Sequence, residues 1–161
     1  MADFRRGSAI RKVCGASGLR HTPAADIIAQ SLWKRFMTVH SRCILIIDDD
    51  AAVLDHVGKV LRNAGFNTVA ASNGLDGLKK LNSVETHLII LDVTMPELDG
   101  LQTCRMIRAT DKHKNVPILI LTSRGDITDM MEARKVGADD YLVKPVDPEL
   151  LLKKINRLFA V

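Results

Sequence analysis

Cysteine and aromatic residues are scarce in this chain of 161 residues. The three cysteines, Cys14, Cys43 and Cys104, lie at irregular spacing, which argues against a disulfide framework and against a zinc site. No apolar run approaches the roughly eighteen residues that a membrane-spanning helix needs. With 47% apolar and 26% charged residues, the composition is typical of a soluble globular domain, and we expect it to be cytoplasmic.

Basic residues are unevenly distributed along the chain. Residues 1–42 hold eight Lys and Arg against two acidic residues, whereas residues 43–161 hold fifteen against seventeen. The net charge of +4 therefore comes from the amino-terminal segment. The remainder lacks the interleaved basic and aromatic residues that follow a phosphate backbone, so we expect this domain to bind neither nucleic acid nor membrane.

The sequence divides into two predicted parts. Residues 1–41 form a basic extension, poorly ordered at first and with apolar residues at helical spacing over about 26–40. A targeting peptide, an interaction helix and translated upstream sequence all fit this extension. We favour the last, because the domain pattern begins shortly after Met37. Residues 42–161 form one domain, and we expect no output domain after it.

Short apolar runs alternate with helical patterns in the second part, which predicts an α/β domain with a doubly wound, five-stranded parallel sheet. The predicted strands are 44–47, 66–71, 88–91, 116–121 and 141–143. Gly65 and Gly137 end the first and fourth helices, and Asp147 with Pro148 opens the fifth. The strongly apolar first and third strands fit the order 2-1-3-4-5, in which ligands bind at the carboxyl ends where the order reverses.

Acidic residues follow these two strands. Asp48, Asp49 and Asp50 end the first strand and Asp92 ends the third, so three or four carboxylates meet at this crevice. Like charges so close repel one another unless a hard divalent cation takes oxygen ligands from them. Mg²⁺ fits because it binds a few carboxylates together with phosphate oxygens, which leaves one carboxylate as a nucleophile toward phosphorus. We interpret Asp50 as a helix N-cap.

Two further polar residues lie at the same edge of the predicted sheet. Thr122 follows the fourth strand and Lys144 follows the fifth, and each can contact a phosphoryl oxygen. A hydroxyl and an ammonium there would offset the charge that develops in phosphoryl transfer. Each residue alone has an ordinary structural explanation. Their occurrence in order at successive strand ends indicates a functional site.

Four segments resemble the motif set of the receiver domains of two-component response regulators: Ile46–Asp50, Leu91–Pro96, Leu121–Ser123 and Lys144–Pro145. The resemblance extends over residues 43–160. It implies a flavodoxin-like three-layer sandwich and a phosphoprotein of signal transduction. Its phosphoryl donor would be a histidine kinase or a histidine phosphotransfer protein. Such a domain is not an enzyme for other substrates, since it catalyses only its own phosphorylation and dephosphorylation.

The resemblance also implies residue roles. Asp92 would be the phosphoacceptor, and Thr122 and Lys144 would contact the phosphoryl group. The implied Mg²⁺ ligands are Asp48, Asp49, Asp92 and the backbone carbonyl of Val93 or Thr94. Asp49 would bind the ion directly and Asp48 through water. Thr94 and Arg124 occupy positions that tune phosphoryl lifetime in this family.

Signal output follows from the same resemblance. Phosphorylation would draw Thr122 inward and vacate space for Tyr141, and the fourth helix, fifth strand and fifth helix would bind a downstream protein partner. Motor signalling as in chemotaxis and a phosphorelay shuttle are both open. The Lys144–Pro145 bond is expected to be cis. Ile127, Met130 and Met131 could form part of this surface, but we expect the methionines to face the core.

Two other functions compete with a phosphorylated receiver. A phosphohydrolase of the haloacid-dehalogenase type shares a strand-end Asp48-x-Asp50, but it needs a further acidic pair on a strand after Lys144 and leaves Asp92 without a role. A receiver-like interaction module that is never phosphorylated is the second alternative. Such proteins usually lose one acid or the lysine, and this chain keeps all of them.

Overall fold

The computed structural model describes residues 42–123 and 127–160, the first four residues of the second range by backbone only. Strands and helices alternate through these residues. The strands are β1 (Cys43–Ile47), β2 (Asn67–Ala71), β3 (Leu88–Asp92), β4 (Ile118–Thr122) and β5 (Asp140–Val143). The helices are α1 (Ala51–Asn63), α2 (Gly74–Ser83), α3 (Gly100–Arg108), α4 (Ile127–Lys135) and α5 (Pro148–Leu158).

The strands form one parallel sheet in the order β2-β1-β3-β4-β5, which confirms the predicted topology. Two apolar clusters cover its two faces. One includes Val57 of α1 and Ile155 of α5, and the other includes Leu81 of α2, Ile107 of α3 and Ala133 of α4. The sheet is therefore the middle layer of a three-layer sandwich. β1 and β3 are buried on both faces, which explains their continuous apolar runs.

Helix ends follow the local sequence signals. Asp50 caps α1 by accepting the Ala52 N–H at 2.8 Å, and Asp147 caps α5 with Pro148 at its first position. Gly65 and Gly137 have φ angles of 90° and 94° at the ends of α1 and α4, a backbone conformation that glycine adopts without strain. These predictions are confirmed.

Several element boundaries differ from the sequence prediction. Phe66 is not the first residue of β2, because its N–H donates to the Leu61 carbonyl at 3.0 Å and completes the end of α1. Val116 precedes β4, because Pro117 has no N–H to donate and only its carbonyl pairs with β3, at the Ile89 N–H. The prediction that Met131 faces the core is wrong, since 56% of it is exposed. The side chains of Ile127 and Met130 lie outside the described residues.

The basic extension over residues 1–41 lies outside the described residues, so the division of the chain at residue 42 stays a prediction. No helix within 42–123 or 127–160 combines the length and the apolar character that crossing a bilayer requires.

Candidate functional site

The carboxyl ends of β1 and β3 bring acidic side chains together. Asp48 follows β1 and is fully buried, and Asp92, the last residue of β3, is 2% exposed. Asp49 is exposed beside them. Asp48, Asp49 and Asp92 each offer a carboxylate oxygen, and these oxygens lie within 4.8 Å of one another. Asp50 is not part of this cluster, because its carboxylate caps α1.

Among the residues that the structure describes, Lys144 is the cation at this cluster. Its Nζ lies 2.8 Å from Asp48 Oδ2 and 2.8 Å from Asp92 Oδ1, and the ammonium is largely buried. Both contacts are ion pairs, and they join two buried carboxylates to one shared ammonium. Three carboxylates with one ammonium leave net negative charge and buried oxygen acceptors. This donor set fits a hard, oxygen-binding divalent cation.

Burial and neighbouring charges shift the pKa values of Asp92 and Lys144. Burial raises the pKa of the Asp92 carboxyl, repulsion from Asp48 and Asp49 raises it further, and Lys144 opposes both effects. Burial alone would lower the pKa of the Lys144 ammonium, but the carboxylates of Asp48 and Asp92 together outweigh it and raise that pKa. Lys144 therefore stays charged at neutral pH, whereas the charge on Asp92 is costly to hold.

β4 and β5 position the remaining predicted residues. The Lys144 N–H donates to the Thr122 carbonyl at 2.8 Å, which places these two residues side by side at the strand ends. Thr122 is buried. The Lys144–Pro145 bond is cis, as predicted. Tyr141 pairs with Ile120 in register, so strand alternation puts Tyr141 and Thr122 on the same face of the sheet.

The loop after Asp92 holds the two other candidate positions. Thr94 is exposed two residues beyond Asp92. The Val93 carbonyl accepts the Gly100 N–H at 2.9 Å, at the start of α3. Arg124 lies outside the described residues.

Sequence reasoning missed the tight packing under Asp92. A Cβ on Gly100 would lie 1.9 Å from the Asp92 carbonyl oxygen, so only glycine lets α3 approach the strand this closely. The available signal was the Asp99-Gly100 pair after the Met95-Pro96 turn. Asp99 alone is enough to cap the helix, so the glycine that follows it needs another explanation, and close packing provides one.

A family model decides the identity of this fold. The model of the response regulator receiver domain matches residues 44–156. The chain belongs to the response regulator receiver family. This match favours the receiver prediction over the haloacid-dehalogenase alternative, and it makes the chain a receiver domain of two-component signal transduction.

Curated relatives and solved structures agree with the family. The chain is 38% identical over 115 residues to the DNA-binding dual master transcriptional regulator RpaA of Synechocystis sp., covering 71% of the chain and 48% of the relative. It is 41% identical over 113 residues to the transcriptional regulatory protein AfsQ1 of Streptomyces coelicolor, covering 70% and 49%. The chain thus spans about half the length of the curated relatives it matches.

Among solved structures, chemotaxis protein CheY4 of Vibrio cholerae superposes with a TM-score of 0.70 at 33% identity, covering 73% of this chain and 98% of that protein. The signal receiver domain of a histidine kinase from Syntrophus aciditrophicus gives a TM-score of 0.69 at 31% identity, covering 74% and 91%. The receiver fold therefore accounts for nearly all of both structures.

Proposed function

We propose that this receiver accepts a phosphoryl group on a carboxylate oxygen of Asp92 from the phosphohistidine of a kinase or phosphotransfer protein. The observation that carries the proposal is the contact of 2.8 Å between Lys144 Nζ and the buried Asp92 Oδ1, within a cluster of three carboxylates. Lys144 only partly neutralises the charge at this buried acid. After phosphorylation of Asp92, a phosphoryl oxygen can replace the carboxylate oxygen as the partner of the Lys144 ammonium.

The transfer is a displacement at phosphorus. A carboxylate oxygen of Asp92 forms the new P–O bond, the P–N bond to the donor histidine breaks, and the imidazole nitrogen keeps the electron pair. The Lys144 ammonium offsets negative charge on the transferred oxygens, and the Thr122 hydroxyl at the end of β4 donates to one of them. Hydrolysis of the acyl phosphate by the same site returns the domain to its resting state, so the chain acts only on itself.

Mg²⁺ is the cation that we propose for the acidic cluster. When bound, it neutralises carboxylate and phosphoryl charge. Asp49 and Asp92 would hold it directly. Asp48 would act through water, because its Oδ1 accepts the Asp50 N–H at 2.9 Å and its Oδ2 pairs with Lys144. For the backbone ligand we favour Thr94 over Val93, whose carbonyl already accepts the Gly100 N–H.

The output surface that we propose consists of α4, β5 and α5. Among the described side chains of these elements, three large apolar ones are exposed, namely Met131, Val143 and Leu150. A phosphoryl group on Asp92 would draw Thr122 toward it and let Tyr141 turn inward on the same face. That movement changes the surface and selects the form that binds a downstream protein. Thr94 and Arg124 stay the proposed tuning positions.

Intact-mass measurement tests the phosphoacceptor directly. The full chain is incubated with acetyl phosphate and Mg²⁺, beside Asp92→Asn and a wild-type sample with EDTA. We expect a gain of one phosphoryl group in the wild type alone. Wild-type protein that stays unmodified under conditions that phosphorylate a known receiver would instead support an interaction module that is never phosphorylated.

A further inference from the structure

Tyr141 has a cation beside its ring. It is the only tyrosine of the chain and lies half-buried on β5. The Nζ of Lys154, on α5, lies 5.2 Å from the centroid of the ring. This distance is within the roughly 6 Å over which an ammonium is attracted to an aromatic face.

Lys154 is held at the ring by the residue that precedes Tyr141. Its Nζ lies 2.9 Å from Asp140 Oδ1, and only 19% of the lysine side chain and 6% of the aspartate side chain are exposed. The same Oδ1 accepts the Tyr141 N–H at 2.8 Å. One buried carboxylate thus fixes both the backbone of Tyr141 and the ammonium that faces its ring.

We propose that Lys154, anchored by Asp140, is a positioning residue that keeps the Tyr141 ring in its present orientation and sets how readily it turns on phosphorylation. This inference rests on the proposed function, in which Tyr141 moves when Asp92 is phosphorylated. A contact made in one orientation and lost in the other shifts the equilibrium toward the first. Loss of a single cation–π contact corresponds to a shift of about two- to fivefold.

The single tyrosine makes the test specific. The full chain is labelled with 3-fluorotyrosine, and ¹⁹F relaxation dispersion measures the population of the second ring orientation without phosphodonor. Lys154→Met keeps the aliphatic length and removes the charge. Arg157 stays 2.6 Å from Asp140 Oδ2, so the buried carboxylate keeps a cationic partner in this variant. Lys153→Met, at an exposed neighbouring position, is the matched control for the loss of charge.

We expect Lys154→Met to raise the population of the second orientation about two- to fivefold, with Lys153→Met unchanged and Lys154→Arg restored toward the wild type. A purely structural role would lower the melting temperature without this pattern of rescue. An unchanged population in Lys154→Met would overturn the inference, and so would a ring that has one orientation with and without beryllofluoride. Intact-mass phosphorylation of the same samples shows separately whether Asp92 is the phosphoacceptor.

Discussion

Buried carboxylates lie at both ends of the sheet, but the number of cations that pair with them differs. At the amino ends of the strands, Asp140 is buried and has three donors: the Tyr141 N–H, the Lys154 ammonium and the Arg157 guanidinium. Both of its oxygens have a cation within 2.9 Å. Nothing in this arrangement needs a ligand, so Asp140 stabilises the fold and holds Lys154 beside Tyr141.

The carboxyl ends show the opposite balance. Asp48 and Asp92 share Lys144, and the exposed Asp49 adds a third negative charge. The two buried carboxylates there share one described cation, whereas Asp140 alone has two. Buried carboxylate charge that is only partly neutralised costs free energy unless a bound cation completes the neutralisation. Buried charge is present at both ends of the sheet. What distinguishes the site from the rest of the fold is that its carboxylates are incompletely paired with cations.

We expect the largest effect on stability from a substitution in the close packing beneath Asp92. Gly100→Ala places a methyl group against the backbone oxygen of Asp92, which cannot rotate away, and overpacking of this kind costs about 3 kcal/mol. Phosphorylation of Asp92 should slow as well. Gly58→Ala is the matched control, because its methyl group meets only the end of the flexible Arg62 side chain. Urea unfolding measures both variants, and equal stability of the two would contradict the packing argument.

Asp140→Asn tests the complete pairing at the amino ends. We expect it to lower the free energy of unfolding by about 2 kcal/mol, because the buried charge that holds Lys154 is lost. Because Arg157 is largely exposed, we expect this loss to be smaller than the roughly 3–5 kcal/mol typical of breaking a fully buried pair. Chemical denaturation of Asp140→Asn beside Asp55→Asn, whose ion pair with Lys59 is exposed, measures the difference. The same loss in both variants would show that burial of the pair is unimportant.

At the carboxyl ends of the strands, Asp92→Asn should stabilise the fold. Burial raises the pKa of Asp92, so at neutral pH the folded state carries a charge that it disfavours. Removing this charge should raise the free energy of unfolding by about 1 kcal/mol in Mg²⁺-free buffer. Mg²⁺ should raise the melting temperature of the wild type and leave Asp92→Asn nearly unchanged. Destabilisation by Asp92→Asn without metal would mean that the pair with Lys144 is already complete.

The smallest effect is expected at His113, a buried residue of the loop before β4. Burial lowers its pKa, and Lys112 adds to this. The folded state thus favours the neutral imidazole of His113. The contribution of His113 to the free energy of unfolding is complete above the ordinary histidine pKa of about 6.5, and it declines as the pH falls through the lowered pKa of the folded state. His113→Gln should therefore lose less melting temperature than the wild type between about pH 8 and pH 5. Parallel losses in both proteins would contradict this, with exposed His56→Gln as the control.

Much of the fold and the site follows from local sequence. Continuous apolar runs identify β1 and β3, and parallel strands place their terminal residues at one edge, so Asp48 and Asp92 could be predicted to meet. Lys144 could be added because it directly follows β5. The helix caps could also be predicted, since each needs only a residue and its near neighbours.

The features that could not be predicted depend on contacts distant in sequence. The apolar pattern of α4 does not show that Met131 faces outward, because helical spacing alone does not fix which side meets the sheet. The approach of Gly100 to Asp92 and of Lys154 to Tyr141 requires the packed positions of helices on the sheet. Our proposal of Thr94 over Val93 as the backbone ligand rests on a backbone hydrogen bond that cannot be read from the sequence.

The most direct test of the central claim is to locate the acyl phosphate by borohydride reduction after reaction with acetyl phosphate and Mg²⁺, followed by peptide mass mapping. Reduction converts a phosphorylated aspartate to homoserine. We predict homoserine at residue 92 alone, because Asp92 is the buried carboxylate at which Lys144 and the other acids converge. Homoserine at Asp48 or Asp49, or at no residue, would contradict the account.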